Sequence, residues 1–274
     1  MMLGLCTIQR DRAPWLEEWL AFHYVVGFRK FYFYAHNCSD DTVLKLQRLA
    51  SVLDLTCFEI KEEMDFVQLK SYQHAYDNFG DQVDWMAFID GDEFLFPVKA
   101  MTLQDVLADY NDREMSALAA YWVCYGSGGH IQEPEGLIID NFQERHDLNF
   151  IRNRHIKSIV KGRQKMLANA NSHLFVTQSG TFDELMRPIT HGFMKELTPS
   201  YQKLRINHYI CQSYEYYMNV KRQAGMADAG ATARRADEWW PLHDINEVHD
   251  DLIIRFRDQV IHKIAELTEV TSCN

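Results

Sequence analysis

No run of this 274-residue chain approaches the roughly 18 to 20 uninterrupted apolar residues that cross a bilayer, so no membrane-spanning helix is expected. The first residues, MMLGLCTIQRDRAPW, meet charge too early for a signal peptide, which points to a cytoplasmic protein and leaves peripheral membrane association open. Positive charge is scarce as well. Lys and Arg number 28 against 39 acidic residues, a formal charge of −11, and this excludes nucleic acid as a partner because phosphate contacts need clustered cations. One local basic cluster, Arg152 to Lys165, is a candidate for binding an anionic ligand. Paired cysteines are absent too. The six that exist (Cys6, Cys38, Cys57, Cys124, Cys211, Cys273) show no CxxC spacing, and reduced, mostly buried thiols are expected. What remains is 47% apolar and 13% aromatic, enough for one large folded domain and unlike a disordered or fibrous chain.

The first hundred residues alternate short β-rich runs with longer amphipathic ones, the signature of βαβ units and a mostly parallel sheet. Leu3 to Ile8 reads as a strand. Pro14 sits at a first helical position, and Trp15, Trp19, Phe22, His23 and Val26 recur at helical spacing until Gly27. Lys30 to Ala35 is a second strand, HNCSDD a polar turn, TVLKLQRLA a second helix and SVLDLTCFEI a third strand. Val67 to Phe79 reads as helix and Trp85 to Asp90 as a central strand buried on both faces. Further on, a helix is expected near Leu103 to Tyr110, strands at ALAAYWVCY, HIKSIVK and HLFVT, an amphipathic helix over YICQSYEYYMNVKRQA, and a C-terminal helix from Asn246 to Glu269. Ala224 to Ala236 is the candidate mobile loop.

In open α/β sheets ligands collect at the carboxyl ends of strands. Three polar turns fall there: QRDR, HNCSDD and DGDE. With 22 Asp in the chain, about two D-x-D triplets are expected by chance, so placement carries more than spelling. Asp90 and Asp92 at the end of a buried strand would repel unless a cation or donors neutralised them, and Mg²⁺ or Mn²⁺ held with substrate phosphates is the natural occupant. A solvated acidic turn, or capping of a following helix, is the alternative. Gly91 allows a diphosphate to approach the backbone, and Glu93 reads as a supporting carboxylate. Lys157 and Lys161, four apart on a strand, share a face suited to a diphosphate or acidic acceptor; a solvent-facing edge strand is the other reading. GSGGH offers a tight turn, with His130 in reach of a sugar hydroxyl. Trp122, Trp239 and Trp240 are candidates for stacking on sugar rings, or core residues.

Taken together, WLEEWLAFHYVVGFRKFYFYAHNCSDDT, DWMAFIDGDEFLFP, YWVCYGSGGH, HIKSIVK and INHYICQSYEYYMNVKRQAG resemble the family 2-like and family 92-like glycosyltransferases of GT-A fold, over most of residues 3 to 225. The resemblance implies a Rossmann-like α/β fold with a mostly parallel central sheet flanked by helices. It implies a glycosyltransferase of polysaccharide biosynthesis that uses a nucleotide-diphosphate sugar, a UDP-sugar above all, a manganese or magnesium ion, and a glycan or glycoconjugate acceptor. Asp90 and Asp92 are then the metal and diphosphate residues. Asn37, Ser39 and Asp41 lie beside the nucleoside, with Arg10 in the first loop, where such enzymes often show Asn-Glu instead. His208 completes the metal shell, with His173 and His191 as alternatives. The chain is then a single domain, residues 1–97 forming the donor half, 98–225 the acceptor and metal-completing half, and 226–274 a helical extension.

If the reaction inverts the anomeric centre, a carboxylate must take the acceptor proton, and Asp140, Glu133 and Asp183 are the candidates. A sugar nucleotidyltransferase would need a glycine-rich loop where QRDRAPW has none. DGDEF lacks the alternating ligands of a calcium loop. A catalytically silent GT-A relative that binds a glycan or partner protein is the remaining alternative.

Overall fold

Seven consecutive buried residues make β1 (Leu3–Gln9) the spine of the molecule. A strand buried on both faces needs cover on both. Leu3 and Leu5, with Phe31 and Phe33 of β2 (Lys30–His36), pack into the same core as Trp19, Leu20 and Phe22 of α1 (Leu16–Val25). The alternate residues Cys6, Ile8, Tyr32 and Tyr34 join Tyr72 and Tyr76 of α3 (Val67–Phe79) on the other face. Strand period and helix period thus meet as the sequence requires. Between them α2 (Thr42–Leu49) connects β2 to β3 (Asp54–Ile60). The computed structural model describes residues 1–168, 171–223, 235–236 and 238–272. Of the Ala224 to Ala236 stretch, only Arg235 and Ala236 fall among them.

β1 pairs in parallel with β2 on one side and with β4 (Trp85–Phe88) on the other, and β3 extends the sheet beyond β2. β4 is followed at once by β5 (Glu93–Pro97), which was not expected as a separate strand because the DGDE turn hid the break between two apolar runs. After α4 (Leu103–Leu107) comes β6 (Ala117–Cys124), and after α5 (Ile138–Asn141) and β7 (Glu144–Arg145) comes β8 (Ile156–Lys161). β8 inserts antiparallel between β4 and β6. It is an interior strand, so the solvent-facing edge reading of KSIVK does not hold. The short β9 (Met166–Leu167) and β10 (Val176–Thr177) form a separate ribbon, while β11 (Thr181–Asp183) and β12 (Pro188–Ile189) finish one edge of the sheet. β13 (Leu204–His208) runs parallel to the end of β6 and antiparallel to β5. This is the α/β arrangement, with a mostly parallel central sheet, that the GT-A resemblance implies.

Three elements are shorter than expected. HLFVT is strand only at Val176–Thr177, because Asn171 Oδ1 captures the amides of His173 and Leu174. The helix expected over Tyr209 to Ala224 begins at α6 (Tyr214–Tyr216), capped by Ser213 Oγ, and widens into a π-turn at Tyr217–Lys221. After α7 (Trp239–His243) the expected C-terminal helix is delayed. Residues around Asp250, held by Arg145 and Arg205, form β14 (Val248–His249) against β7, and α8 (Arg257–Ser272) starts only after a 3-10 turn. Cys6, Cys124 and Cys211 are buried free thiols, Cys38 and Cys57 are half-buried ones, and Cys273 lies outside the described residues.

Glu18 of α1 is buried, and its two oxygens accept from the amides of Ile138 (2.7 Å) and Ile139 (3.1 Å), tying α5 to α1. Burial pushes its carboxyl up to about 7. The protonated form is the one the fold favours, so its contribution is present at low pH and is lost as pH rises from the ordinary carboxylate range through about 7. Urea denaturation should show Glu18→Gln gaining on the wild type across that window by about 3 kcal/mol, with no pH-dependent difference arguing against a neutral Glu18.

Candidate active site

The turn between β4 and β5 is closed by its own backbone and by Glu93: Glu93 N–H donates to the Asp90 carbonyl at 3.2 Å, and Asp90 N–H donates to Glu93 Oε2 at 3.0 Å. Gly91 sits under Gln9, where a β-carbon would lie 2.4 Å from the Gln9 side chain. Its carbonyl accepts from Arg12 at 2.8 Å, and Arg12 also reaches Gln212 and the Tyr216 hydroxyl. The strand end is therefore held from three directions.

Each aspartate meets a lysine from the second half of the chain. Lys157 Nζ lies 2.7 Å from Asp90 Oδ2 and 3.6 Å from Glu93, while Gln68 and Tyr72, one helical turn apart on α3, donate to Asp90 Oδ1. Lys221 Nζ lies 2.6 Å from Asp92 Oδ2, and His208 Nε2 is 3.5 Å from Asp92 Oδ1. Burial alone would raise both aspartates, but Lys157 holds Asp90 below the ordinary carboxylate value, and Lys221 holds Asp92 well below it. Burial drives Glu93 the other way, well above its usual value, so it stays protonated. Against its own burial, the attraction of Asp90 holds Lys157 in the charged form.

Gln68, Asp90, Gly91, Asp92, His208 and Lys221 line the floor of a cavity of about 520 Å³. On its wall Trp122 is flanked by imidazoles: His155 stacks at 4.7 Å between ring centroids, His208 lies at 4.2 Å and His173 at 5.2 Å. With its ring so covered, Trp122 organises histidines and is not free to stack on a sugar. Arg10, Arg12, Arg152, Lys221 and Arg235 also reach the cavity, a positive lining inside an acidic chain.

Of the residues singled out in the sequence, Arg10, Asp90, Gly91, Asp92, Trp122, His173, His208 and Trp239 line this cavity, and Lys157 lies directly beneath Asp90. Lys161 does not join them. It occupies the other end of β8, donating to the carbonyls of Asn111 and Arg113. The three candidate bases also lie elsewhere: Asp140 is paired with Arg257, Asp183 with Arg187, and Glu133 accepts from Trp15 and Ser213. His130 bonds the Asn141 carbonyl, His191 is exposed beside Thr190, and Trp240 packs on Tyr214 and Tyr217. Asn37, Ser39 and Asp41 stand in the turn after β2, next to the Arg10 loop. Asp11 Oδ1 there accepts from the Ser39 and Asp40 amides, and Asp40 accepts from those of Ala13 and Thr42. Asp11, Cys38 and Asp40 bring three ligand-type atoms within 4.8 Å of one another, but these amides explain the two carboxylates. Sequence reasoning missed Gln68, Tyr72, His155 and Lys221. Only the Gln68 and Tyr72 pair, polar groups four apart on the buried face of a helix, left a signal that could have been followed.

Asp92 and His208 pass a chemical test for a divalent ion. Their facing atoms are farther apart than in a good hydrogen bond, and burial keeps the imidazole neutral, the form that can coordinate. Lys157→Met should cost about 3–5 kcal/mol in denaturant unfolding by leaving buried carboxylates unpaired. Lys161→Ala should cost no more than about 1 kcal/mol. Equal losses would show that the buried pairing is not what distinguishes the two lysines.

The sequence profile of Glycosyltransferase family 92 matches residues 2–244. A family 92 protein of Oryza sativa subsp. japonica is 23% identical over 223 residues, 78% of this chain and 34% of that protein. One from Ricinus communis is 23% identical over 135 residues, 48% of this chain and 23% of that protein. The chain thus spans about a third or less of the length of these relatives. Among solved structures, S. aureus TarS 1-349 superposes with a TM-score of 0.39 at 14% identity, covering 59% of this chain and 47% of that one. Matched along nearly its whole length, the chain belongs to glycosyltransferase family 92.

Proposed function

We propose that this chain transfers a sugar from a nucleotide-diphosphate donor, a UDP-sugar, to a hydroxyl of a glycan or glycoconjugate, with a divalent metal and with inversion. The observation that carries this reading is the Asp90-Gly91-Asp92 turn at the floor of a cation-lined cavity, with His208 Nε2 facing Asp92 Oδ1. Asp92 and His208 would hold a manganese or magnesium ion, with Asp90 adding its charge beside them. Such an ion neutralises charge on a leaving diphosphate. Lys157 acts from below by holding Asp90, and Lys161, remote from the cavity, has no part in the donor site. Gly91 lets the turn pass beneath Gln9, while Arg12, Lys221 and Arg152 supply positive charge around it. The Arg10 loop and the Asn37, Ser39 and Asp41 turn would face the nucleoside. On this reading residues 1–97 hold the donor, 98–225 complete the metal and acceptor side, and the 226–274 extension brings Arg235, Trp239 and His243 to the cavity wall.

Charge balance supports coupled binding. Asp90 and Asp92 are matched by Lys157 and Lys221, and Glu93 is neutral, so a dication alone meets two ammonium groups without compensation. A dication arriving with a diphosphate keeps the site near neutrality. In a thermal-shift panel UDP with Mn²⁺ should raise the melting temperature by a few degrees, UDP or Mn²⁺ alone much less, and chelation should reverse the gain. Asp92→Asn should abolish the metal-dependent part. The reading fails if GDP and CDP match UDP, or if no nucleotide shifts the melt with metal present.

A further inference from the structure

We infer that His155 takes the proton of the acceptor hydroxyl, a role that rests on the donor reading above and replaces the carboxylates first considered for it. Both carboxylates on the cavity floor are occupied by ammonium groups, and Glu133, Asp140 and Asp183 are engaged outside it. The cavity therefore leaves imidazoles: His155, His173, His208 and His243. His208 belongs to Asp92. His173 stands at the Lys157 and Asp90 pair, where a gained proton would meet an ammonium. His243 is buried, stacked on Trp239 at 4.2 Å with its Nδ1 on the Trp239 carbonyl.

His155 is placed differently. β6 lies between β8 and β13, and Trp122 on β6 has His155 beside it from the β8 side, through the bond from Trp122 N–H to the His155 carbonyl at 3.1 Å. On the other side Trp122 is in register with Ile206 of β13, two residues before His208. The ring of Trp122 thus has two imidazole neighbours that come from opposite sides of β6, His155 at 4.7 Å and His208 at 4.2 Å between ring centroids. Inversion needs a base distinct from the metal ligands, because the hydroxyl attacks the anomeric carbon from the side opposite the diphosphate.

The ring is also held in a usable form. His155 Nδ1 meets the Arg152 carbonyl at 2.9 Å, which fixes the proton on Nδ1 and leaves the lone pair on Nε2, a nitrogen without a partner among the described residues. Stacking on Trp122 and contact with Phe193 at 4.8 Å fix its plane. The charged and titratable groups that act on it are Arg152, His208 and Lys157, with His173 at 5.5 Å. Burial first, then the charges of Arg152 and Lys157, lowers the ring to about 4, the basicity of an ordinary carboxylate, so it is neutral near pH 7. In the step itself the acceptor oxygen bonds to the anomeric carbon while the bond from that carbon to the diphosphate oxygen breaks. The electron pair leaves on the nucleoside diphosphate, and the hydroxyl proton passes to Nε2.

The test uses water as acceptor. Wild type and His155→Asn are compared for UDP release from UDP-glucose, UDP-galactose and UDP-N-acetylglucosamine with Mn²⁺, alongside UDP and Mn²⁺ binding by thermal shift. Release should fall by about 10²- to 10⁴-fold while binding stays within twofold. Long-range ¹H–¹⁵N correlation spectra of the wild type, which need no variant, should show the Nδ1–H tautomer at His155. A variant that releases UDP within threefold of wild type, or an Nε2–H tautomer, overturns the assignment. Wild-type protein that binds no nucleotide removes the donor reading, and His155 has no role without it.

Discussion

Everything at this site depends on gathering three acidic side chains within four residues, one buried and two half-buried. Asp90, Asp92 and Glu93 stand where β4 leaves the sheet for β5, with Glu93 fully covered. Ionised carboxylates cannot be taken from water at such spacing without partners, since desolvation and mutual repulsion each cost several kcal/mol. The chain meets the demand in two ways. Glu93 keeps its proton, and the two aspartates receive ammonium groups from 67 and 129 residues away. Neither lysine can arrive before the second half of the chain has folded onto the first. β8 must lie inside the sheet to bring Lys157 under Asp90, and the π-turn that follows α6 must reach the cavity to bring Lys221 to Asp92. The donor half is thus completed by elements that do not belong to it.

This explains what the sequence made legible and what it did not. The first ninety residues satisfy local rules one after another: continuous burial along β1 and through the middle of β2, Pro14 at a helix start, an unbroken apolar run at β4. Their elements and the placement of the Asp90-Gly91-Asp92 turn could be read directly. The second half is shaped by long-range bonds. Asn171 stops a strand, Asp250 delays a helix and Ser213 starts one late, each through a single side chain whose partner is not apparent in the local sequence. Lys157 and Lys161 show the limit most plainly. Spacing alone makes them equivalent, while the structure buries one under a carboxylate and leaves the other on loop carbonyls at the far end of the strand. His155 and Lys221 carry no pattern at all, because their significance comes from the strands and turns that bring them to the cavity.

Trp122 connects the two ends of the site. As an aromatic in a strand it reads equally well as core or as a sugar platform, and its neighbours decide between them. A ring flanked by His155 and His208 has little face to offer a ligand, yet it fixes the distance between two imidazoles of different duty. One faces Asp92, the other is the base proposed for the acceptor hydroxyl. A rigid indole beside both costs little conformational entropy and cannot be compressed. Both imidazoles are therefore positioned against one packed aromatic ring.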